Sequence, residues 1–389
     1  MKVLFTSTSG LGHVQPMVPL ARGLVERGHD IRWATAPDAC AWLEASGIET
    51  TACGRAFRDL AGDYGRIHPE AALLRGKERP EHLFRHLFGA LAAPAMLPAL
   101  TDAVHEWKPD LIVNEAAELA APIVATAIGI PHVTHSFGLA IPRARLNGAV
   151  ELTAALWESA GLERRVDGAM YDDLYIDIYP PSMQPDDLAH IGRIVHRRPE
   201  SADLVDGEAL SEVIADTLDL ESGRDVVYLT FGTTFNHAPV MRAAVEGLAR
   251  LDVTVVVTVG PGADVAQFDP LPTNVHVAAY LPQSLLLPHC STIVSHGGSG
   301  TMLAGLARGL PQLLLPQGAD QFRNANACVR SGAGLALVGP DATADAIERD
   351  ARALTADASY RMAAGRLRTE IDSMPSADEV AVMLASRWG

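Results

Sequence analysis

The run Ser295-His296-Gly297-Gly298-Ser299-Gly300-Thr301 joins an apolar β-type run, Ser291–Val294, to a helical pattern from Thr301 to Arg308, which stops before Gly309-Leu310-Pro311. A turn of small residues feeding a helix N-terminus offers an anion unpaired N–H groups and the positive end of the helix dipole. Gly297, Gly298 and Gly300 let a phosphate approach the backbone, Ser299 and Thr301 add hydroxyl donors, and His296 adds a ring N–H. The spacing predicts a phosphate-class site. The competing reading is an ordinary βα turn, in which glycine is common.

A second set follows the first β-type run. Gly10-Leu11-Gly12-His13-Val14 begins like a dinucleotide fingerprint, but Gln15 stands where the third glycine would be. The next strand ends Ala34-Thr35-Ala36 with no acidic residue, so a dinucleotide is not expected. His13 stands at a helix start, where the dipole disfavours imidazolium; a neutral imidazole suits a general base, and a helix-capping histidine is the alternative. A base of this kind needs a carboxylate partner. Glu115 and Glu118, in Asn114-Glu115-Ala116-Ala117-Glu118 after the Leu111–Val113 run, are the candidates; either can equally decorate a helix start.

Asp320 and Gln321, in Gly318-Ala319-Asp320-Gln321, set a carboxylate beside an amide, a pairing suited to gripping sugar hydroxyls, although Asp320 also suits a helix start. Thr233 and Thr234 after Phe231-Gly232 can donate to phosphate or cap a helix. Tyr280-Leu281-Pro282-Gln283 can stack on a planar base, with Tyr280, Leu281 and Gln283 as its contacts, or be a plain turn. His82 and His86 are four apart on a helical run, but Leu83 rather than glutamate follows His82, so the metalloprotease pattern is absent. No Asp-x-Asp occurs anywhere. No metal site is expected, and any leaving phosphates must then be neutralised by the 295–301 turn.

The elements that must position these groups alternate strand and helix. In the first half, Val3–Thr8, Ile31–Thr35, Leu111–Val113, His132–Thr134 and Tyr175–Tyr179 read as strands. Val14–Gly28 and Pro37–Gly47 read as helices, and His82–Trp107 as a helix broken near Pro94 and Pro98. Arg55–Glu81 shows little periodicity. The polar stretch His196–Asp206 reads as a linker, after which Val226–Phe231, Val253–Val259, Val275–Val277, Thr292–Ser295 and Gln312–Leu315 repeat the strand pattern with helices such as Val240–Leu251. The expected organisation is one domain over 1–200, a second over 207–372, and a terminal helix within 373–389 packing back on the first. Strand–helix alternation predicts an α/β fold of two Rossmann-like, doubly wound domains facing across a cleft, with ligands at the carboxyl ends of the strands. Phe57, Tyr64, His135 and Phe137 then become candidates for an acceptor pocket, with a core role as the alternative.

The chain has 389 residues, 48% hydrophobic and 20% charged, which fits two globular domains. A net charge of −16 argues against nucleic acid or an anionic membrane surface as partner. Cys40, Cys53, Cys290 and Cys328 form no Cys-x-x-Cys pair and read as reduced thiols. With no secretory pattern at the N-terminus and no uninterrupted apolar run of ~20 residues, a cytoplasmic protein without a membrane span is expected.

Taken together, the 295–301 run, Gly309-Leu310-Pro311-Gln312, Ala319-Asp320-Gln321 with Asn324-Ala325, and Gly12-His13-Val14 with Pro16 resemble the signature of family-1 glycosyltransferases with the GT-B fold, in particular the bacterial branch that decorates antibiotics and other aglycones. Tyr280-Leu281-Pro282-Gln283 resembles that family's base-binding turn, where tryptophan is more usual than tyrosine. The resemblance covers nearly the whole chain. It implies a nucleotide-diphospho-sugar co-substrate, dTDP favoured over UDP, a hydrophobic aglycone acceptor, inversion at the sugar and no further cofactor. It implies that His296 and Thr301 hold the pyrophosphate, that Asp320 and Gln321 hold the sugar, and that His13 is the base. Glu115 stands where the family usually has aspartate, and Glu115 against Glu118 stays open. The expected assembly is a monomer or homodimer. The rival functions are a nucleotide-sugar epimerase on the same fold and a non-catalytic auxiliary partner of a transferase.

Overall fold

Short runs of Val, Ile and Leu without polar interruption belong to strands covered on both faces, as in parallel sheets. The computed structural model describes residues 1–74, 78–185, 187–200, 223–232, 238–260 and 265–389. They form two compact units.

The first unit comprises residues 1–178, 185–200 and 375–389. Its strands are β1 (Lys2–Thr6), β2 (Asp30–Thr35), β3 (Glu49–Ala52), β4 (Leu111–Glu115), β5 (His132–His135), β6 (Leu174–Asp177) and β7 (Ile194–His196). They make one parallel sheet in the order β3-β2-β1-β4-β5-β6-β7, the pattern of a doubly wound fold. Phe5 pairs with Trp33 on one side and Val113 on the other. Because side chains alternate along a strand, Val3 and Phe5 pack beneath helix Val18–Glu26, while Leu4 packs beneath Met96, Leu100 and Val104. The last helix, Ala377–Trp388, adds Val380, Ala381 and Leu384 to the cluster around Val18 and Leu24.

The second unit comprises residues 179–184 and the described residues from 223 to 374. Its strands are β8 (Val226–Thr230), β9 (Thr254–Thr258), β10 (Val275–Ala278), β11 (Thr292–Ser295), β12 (Gln312–Leu314) and β13 (Gly334–Ala336), parallel in the order β10-β9-β8-β11-β12-β13. Val227, Leu229, Val255, Val257 and Val294 pack under helices Ala238–Ala249 and Ala344–Ala356. On the opposite face, Tyr228, Val256 and Ile293 pack against Leu281, Leu286 and Leu310.

Several expectations need correction. β3, β7 and β13 are not among the expected strands; they are short sheet-edge strands, largely part-exposed, and lack the continuous apolar run of the central strands. The supposedly aperiodic stretch after Arg55 contains helix Phe57–Ile67, whose Phe57, Leu60 and Tyr64 recur at helical spacing. Pro94 and Pro98 do not break their helix. The departure from α geometry is a π-helical stretch, Arg85–Ala92, directly before Pro94, where a missing N–H changes which carbonyls can be satisfied. The continuous run Glu78–Trp107 is long and apolar enough to cross a membrane by length and composition, and half of its most apolar window is buried within the protein. The polar stretch from His196 does not leave the first unit at once. Arg197 donates its N–H to the Asp177 carbonyl and Arg198 donates to that of Pro375; residues 201–206 lie outside the described residues.

Candidate active site

In the first unit the carboxyl ends of β1 and β4 adjoin, because these strands pair with Thr6 beside Asn114. The chain leaves β1 through Gly10 into the turn Leu11–Val14 and presents His13 there. Glu115, the last residue of β4, directs Oε1 to His13 Nδ1 at 3.0 Å. Glu115 is fully buried and further held by N–H donation from Ala117 (2.5 Å) and by the Thr8 hydroxyl (3.1 Å). These donors keep it aimed, so it can fix the imidazole's orientation and stabilise the charge gained on protonation.

Glu118 does a different job. Its carboxylate accepts from the Thr6 hydroxyl (2.8 Å) and from the N–H groups of Ala120 (2.7 Å) and Ala121 (3.1 Å), at the start of helix Ala121–Ile128. Burial pushes its carboxyl up to about 7, against the pull of those hydrogen bonds. It caps a helix; Glu115 holds the histidine.

Aromatic rings surround His13. Phe137 stacks on it with ring centroids 4.2 Å apart, and Phe88 and Phe57 lie at 5.6 and 6.1 Å. Phe88 escaped the sequence reading because an apolar residue within an apolar helical run carries no signal of its own. Tyr64 is buried, its hydroxyl 2.9 Å from His82 Nδ1. His135 departs from its expected place in an acceptor pocket. It is fully buried, with Nδ1 2.6 Å from the Ser136 carbonyl and Nε2 accepting from the Arg197 guanidinium at 3.3 Å. Burial and that cation hold its pKa well below the usual range, so it stays a neutral core group.

In the second unit the turn after β11 leads into helix Ser299–Leu306, and no side chain caps its N-terminus at Gly298. His296 lies between two glycines. A Cβ on Gly298 would stand 2.5 Å from its Nε2, and one on Gly232, whose φ is +68°, would stand 3.0 Å from Cε1. Only glycine lets the ring occupy this position. Burial lowers the His296 pKa to about 4, outweighing Asp320 and a hydrogen bond to the Thr230 backbone. The ring is neutral near pH 7 and has one N–H to donate, which the Thr230 backbone engages.

Asp320 is held by the Ser299 hydroxyl and by Asn324 Nδ2, each at 3.0 Å from Oδ2. Asn324 also donates to the Gly297 carbonyl (2.9 Å), and the Tyr179 hydroxyl donates to Ser299 Oγ (2.9 Å). Tyr179 was missed because it lies far away in sequence. Gln321 is buried, with its side-chain oxygen accepting from the N–H groups of Gln317 (2.7 Å) and Gly318 (3.0 Å). That oxygen shapes the turn that offers Asp320 and is not available to grip a sugar. Gln283 donates to the Thr301 hydroxyl at 3.1 Å. Tyr280 is half exposed, whereas Leu281 is buried in the apolar cluster and can serve a ligand only through its backbone. A Cβ on Gly300 would meet nothing within 4 Å, so the turn is open there. Thr233 and Thr234 lie outside the described residues.

The model of the erythromycin biosynthesis protein CIII-like N-terminal domain matches residues 23–196, and that of the C-terminal domain matches 242–386. The chain is 33% identical to L-demethylnoviosyl transferase of Streptomyces niveus, covering 99% of this chain and 98% of that protein. It is 31% identical to the elloramycin glycosyltransferase ElmGT of Streptomyces olivaceus, covering 100% and 98%. Among solved structures it resembles the glycosyltransferase VinC in complex with dTDP, at 26% identity and a TM-score of 0.77 over 100% of each chain. It also resembles SnogD from Streptomyces nogalater, at 25% identity and a TM-score of 0.76 over 100% and 99%. Full-length likeness at this level, on two α/β units each built on a parallel sheet, means that the chain belongs to the erythromycin biosynthesis protein CIII-like family of natural-product glycosyltransferases with the GT-B fold.

Proposed function

We propose that the protein moves a sugar, deoxygenated or not, from dTDP to a hydroxyl of a hydrophobic aglycone, in one displacement with inversion at the anomeric carbon and without a metal. The observation that carries this reading is the 3.0 Å pair between His13 Nδ1 and the buried Glu115. It orients the other ring nitrogen as the proton acceptor. The acceptor hydroxyl gives its proton to His13 while its oxygen bonds the anomeric carbon; the sugar–phosphate bond breaks, and dTDP leaves with the electron pair. Thr301 and the N–H groups at the start of helix Ser299–Leu306 stabilise the departing diphosphate, joined by His296 once its single N–H turns from the Thr230 backbone to the phosphate. Asp320, braced by Ser299 and Asn324, holds sugar hydroxyls. The rings of Phe57, Phe88 and Phe137 beside the base suit a planar, apolar acceptor. Support for dTDP comes from VinC, captured with that nucleotide.

Calorimetric titration with dTDP, UDP and NAD in the presence of EDTA tests the donor side. dTDP is expected to bind most tightly and NAD not at all; binding of NAD alone would overturn the reading. On the acceptor side, His13→Ala is expected to lower turnover by ~10²–10⁴-fold, or roughly 3–5 kcal/mol, with dTDP affinity unchanged. Full turnover in that variant would remove His13 from the mechanism.

A further inference from the structure

A group of side chains in the first unit takes no part in the proposed transfer. His68 follows helix Phe57–Ile67, Glu70 lies in the 3₁₀ turn Pro69–Leu73, and His82 lies on the helical run Glu78–Trp107. One ligand atom from each of the three lies within 4.8 Å of the others. His68 Nδ1 is 3.1 Å from a Glu70 carboxylate oxygen. The His86 ring is the nearest further imidazole, 4.2 Å from that of His82 and 4.3 Å from that of His68. Two imidazoles converge on one carboxylate with a third ring alongside, a grouping that buries little apolar surface and offers several lone pairs to one point.

We propose that His68, Glu70 and His82 form a binding site for a divalent transition metal of the zinc class, with His86 in reach as a fourth ligand. Two or three imidazoles with one carboxylate form a borderline donor set, suited to Zn²⁺ or its first-row neighbours rather than to Mg²⁺ or Ca²⁺. The second shell agrees. The Tyr64 hydroxyl stands 2.9 Å from His82 Nδ1, so a proton on Nδ1 directed at Tyr64 leaves the Nε2 lone pair for a cation. The site joins the end of helix Phe57–Ile67 to the run Glu78–Trp107. Those elements carry Phe57 and Phe88, whose rings stand beside His13. The metal would clamp the aromatic wall and take no part in proton transfer or phosphate binding. The His82–His86 pair alone gave no sign of this, because His68 and Glu70 come from a different element.

The test uses the full chain without a histidine tag, stripped with EDTA, dialysed and titrated with Zn²⁺. One equivalent is expected to bind in the micromolar range or tighter, raising the melting temperature. His68→Ala and His82→Ala should each weaken binding by more than ~10-fold, and Tyr64→Phe should weaken it by ~10–100-fold without unfolding the protein. Uptake by the wild type no greater than by the His68→Ala/His82→Ala double variant would overturn the proposal. Titration of the wild-type protein with Co²⁺ needs no variant. Absorption bands of a low-symmetry nitrogen and oxygen site are expected, and a spectrum of the hydrated ion alone would overturn it.

Discussion

At the scale of single residues, two glutamates three residues apart have been given opposite tasks by their surroundings. Glu115 ends β4 beside β1 and reaches His13; Glu118 turns back onto the N–H groups of Ala120 and Ala121. Their spacing shows only that both are near a strand end; the donors around each, Ala117 and Thr8 for Glu115 and Thr6, Ala120 and Ala121 for Glu118, decide the outcome. Glu118 yields a pH prediction. Burial raises its folded pKa to about 7 from an ordinary value near 4.5. Between those values the folded state holds a proton that the unfolded chain has released, so this group's contribution to stability is present below about pH 4.5 and is lost as pH rises through about 7. Glu118→Gln removes the titration. Relative to the variant, the wild type is expected to lose stability by up to about 1.4 kcal/mol per pH unit from pH 5 to 7. Urea melts of both proteins at a series of pH values measure this, and parallel curves would refute it.

At the scale of elements, the 295–301 turn was legible because glycine and hydroxyl residues at a strand–helix junction carry a conformational meaning of their own. What the turn does with His296 was not legible. The ring fits because Gly232, from the end of β8 more than sixty residues earlier in sequence, and Gly298 both lack a Cβ. Gly298→Ala places a carbon 2.5 Å from His296 Nε2 and must displace the ring, whereas Gly300→Ala meets nothing within 4 Å. Gly298→Ala is expected to weaken dTDP binding by roughly 10-fold or more and to lower the melting temperature, at about 1–3 kcal/mol of overpacking. Gly300→Ala should leave the melting temperature near wild type. Equal melting temperatures for the two variants would show that the His296 ring is not confined as described. The helical run 78–107 teaches the complementary lesson. Its two prolines predicted breaks, but the chain absorbs Pro94 by widening the preceding turns. Proline marks where a backbone bond is lost, not how neighbouring carbonyls are re-satisfied.

At the scale of the whole molecule, the chain returns to its first unit at the end. Helix Ala377–Trp388 buries Val380 and Leu384 against the helix that follows His13, and its capping box between Ser376 and Glu379 sets where it starts. Deleting residues 375–389 uncovers that apolar face. Roughly 1.5–3 kcal/mol is expected to be lost for each of the two large side chains, read as a lower melting temperature, while dTDP binding, placed on the second unit, persists. Loss of nucleotide binding with the first unit still folded would count against that assignment. The acidic balance of −16 acts at this scale too, repelling polyanions while local N–H groups remain able to hold one diphosphate.

The sequence by itself determined the class of architecture, because alternation of apolar runs with amphipathic helices and the placement of Gly and Pro are local properties. It also marked the residue types at strand ends from which chemistry could be built, His13, His296 and Asp320 among them. Only the tertiary structure decided the pairings: Glu115 rather than Glu118 beside His13, Phe88 and Phe137 around that ring, Tyr179 and Asn324 behind Asp320, the Gln321 oxygen and His135 spent internally, and His68 brought to His82. Most join residues far apart in the chain and depend on which strands are neighbours in a sheet and which face a helix turns inward; the Asp320–Asn324 and Gln321–Gln317 contacts are local and depend on how the turn before the helix closes. Periodicity records that a face is apolar, but not which distant side chain will meet it.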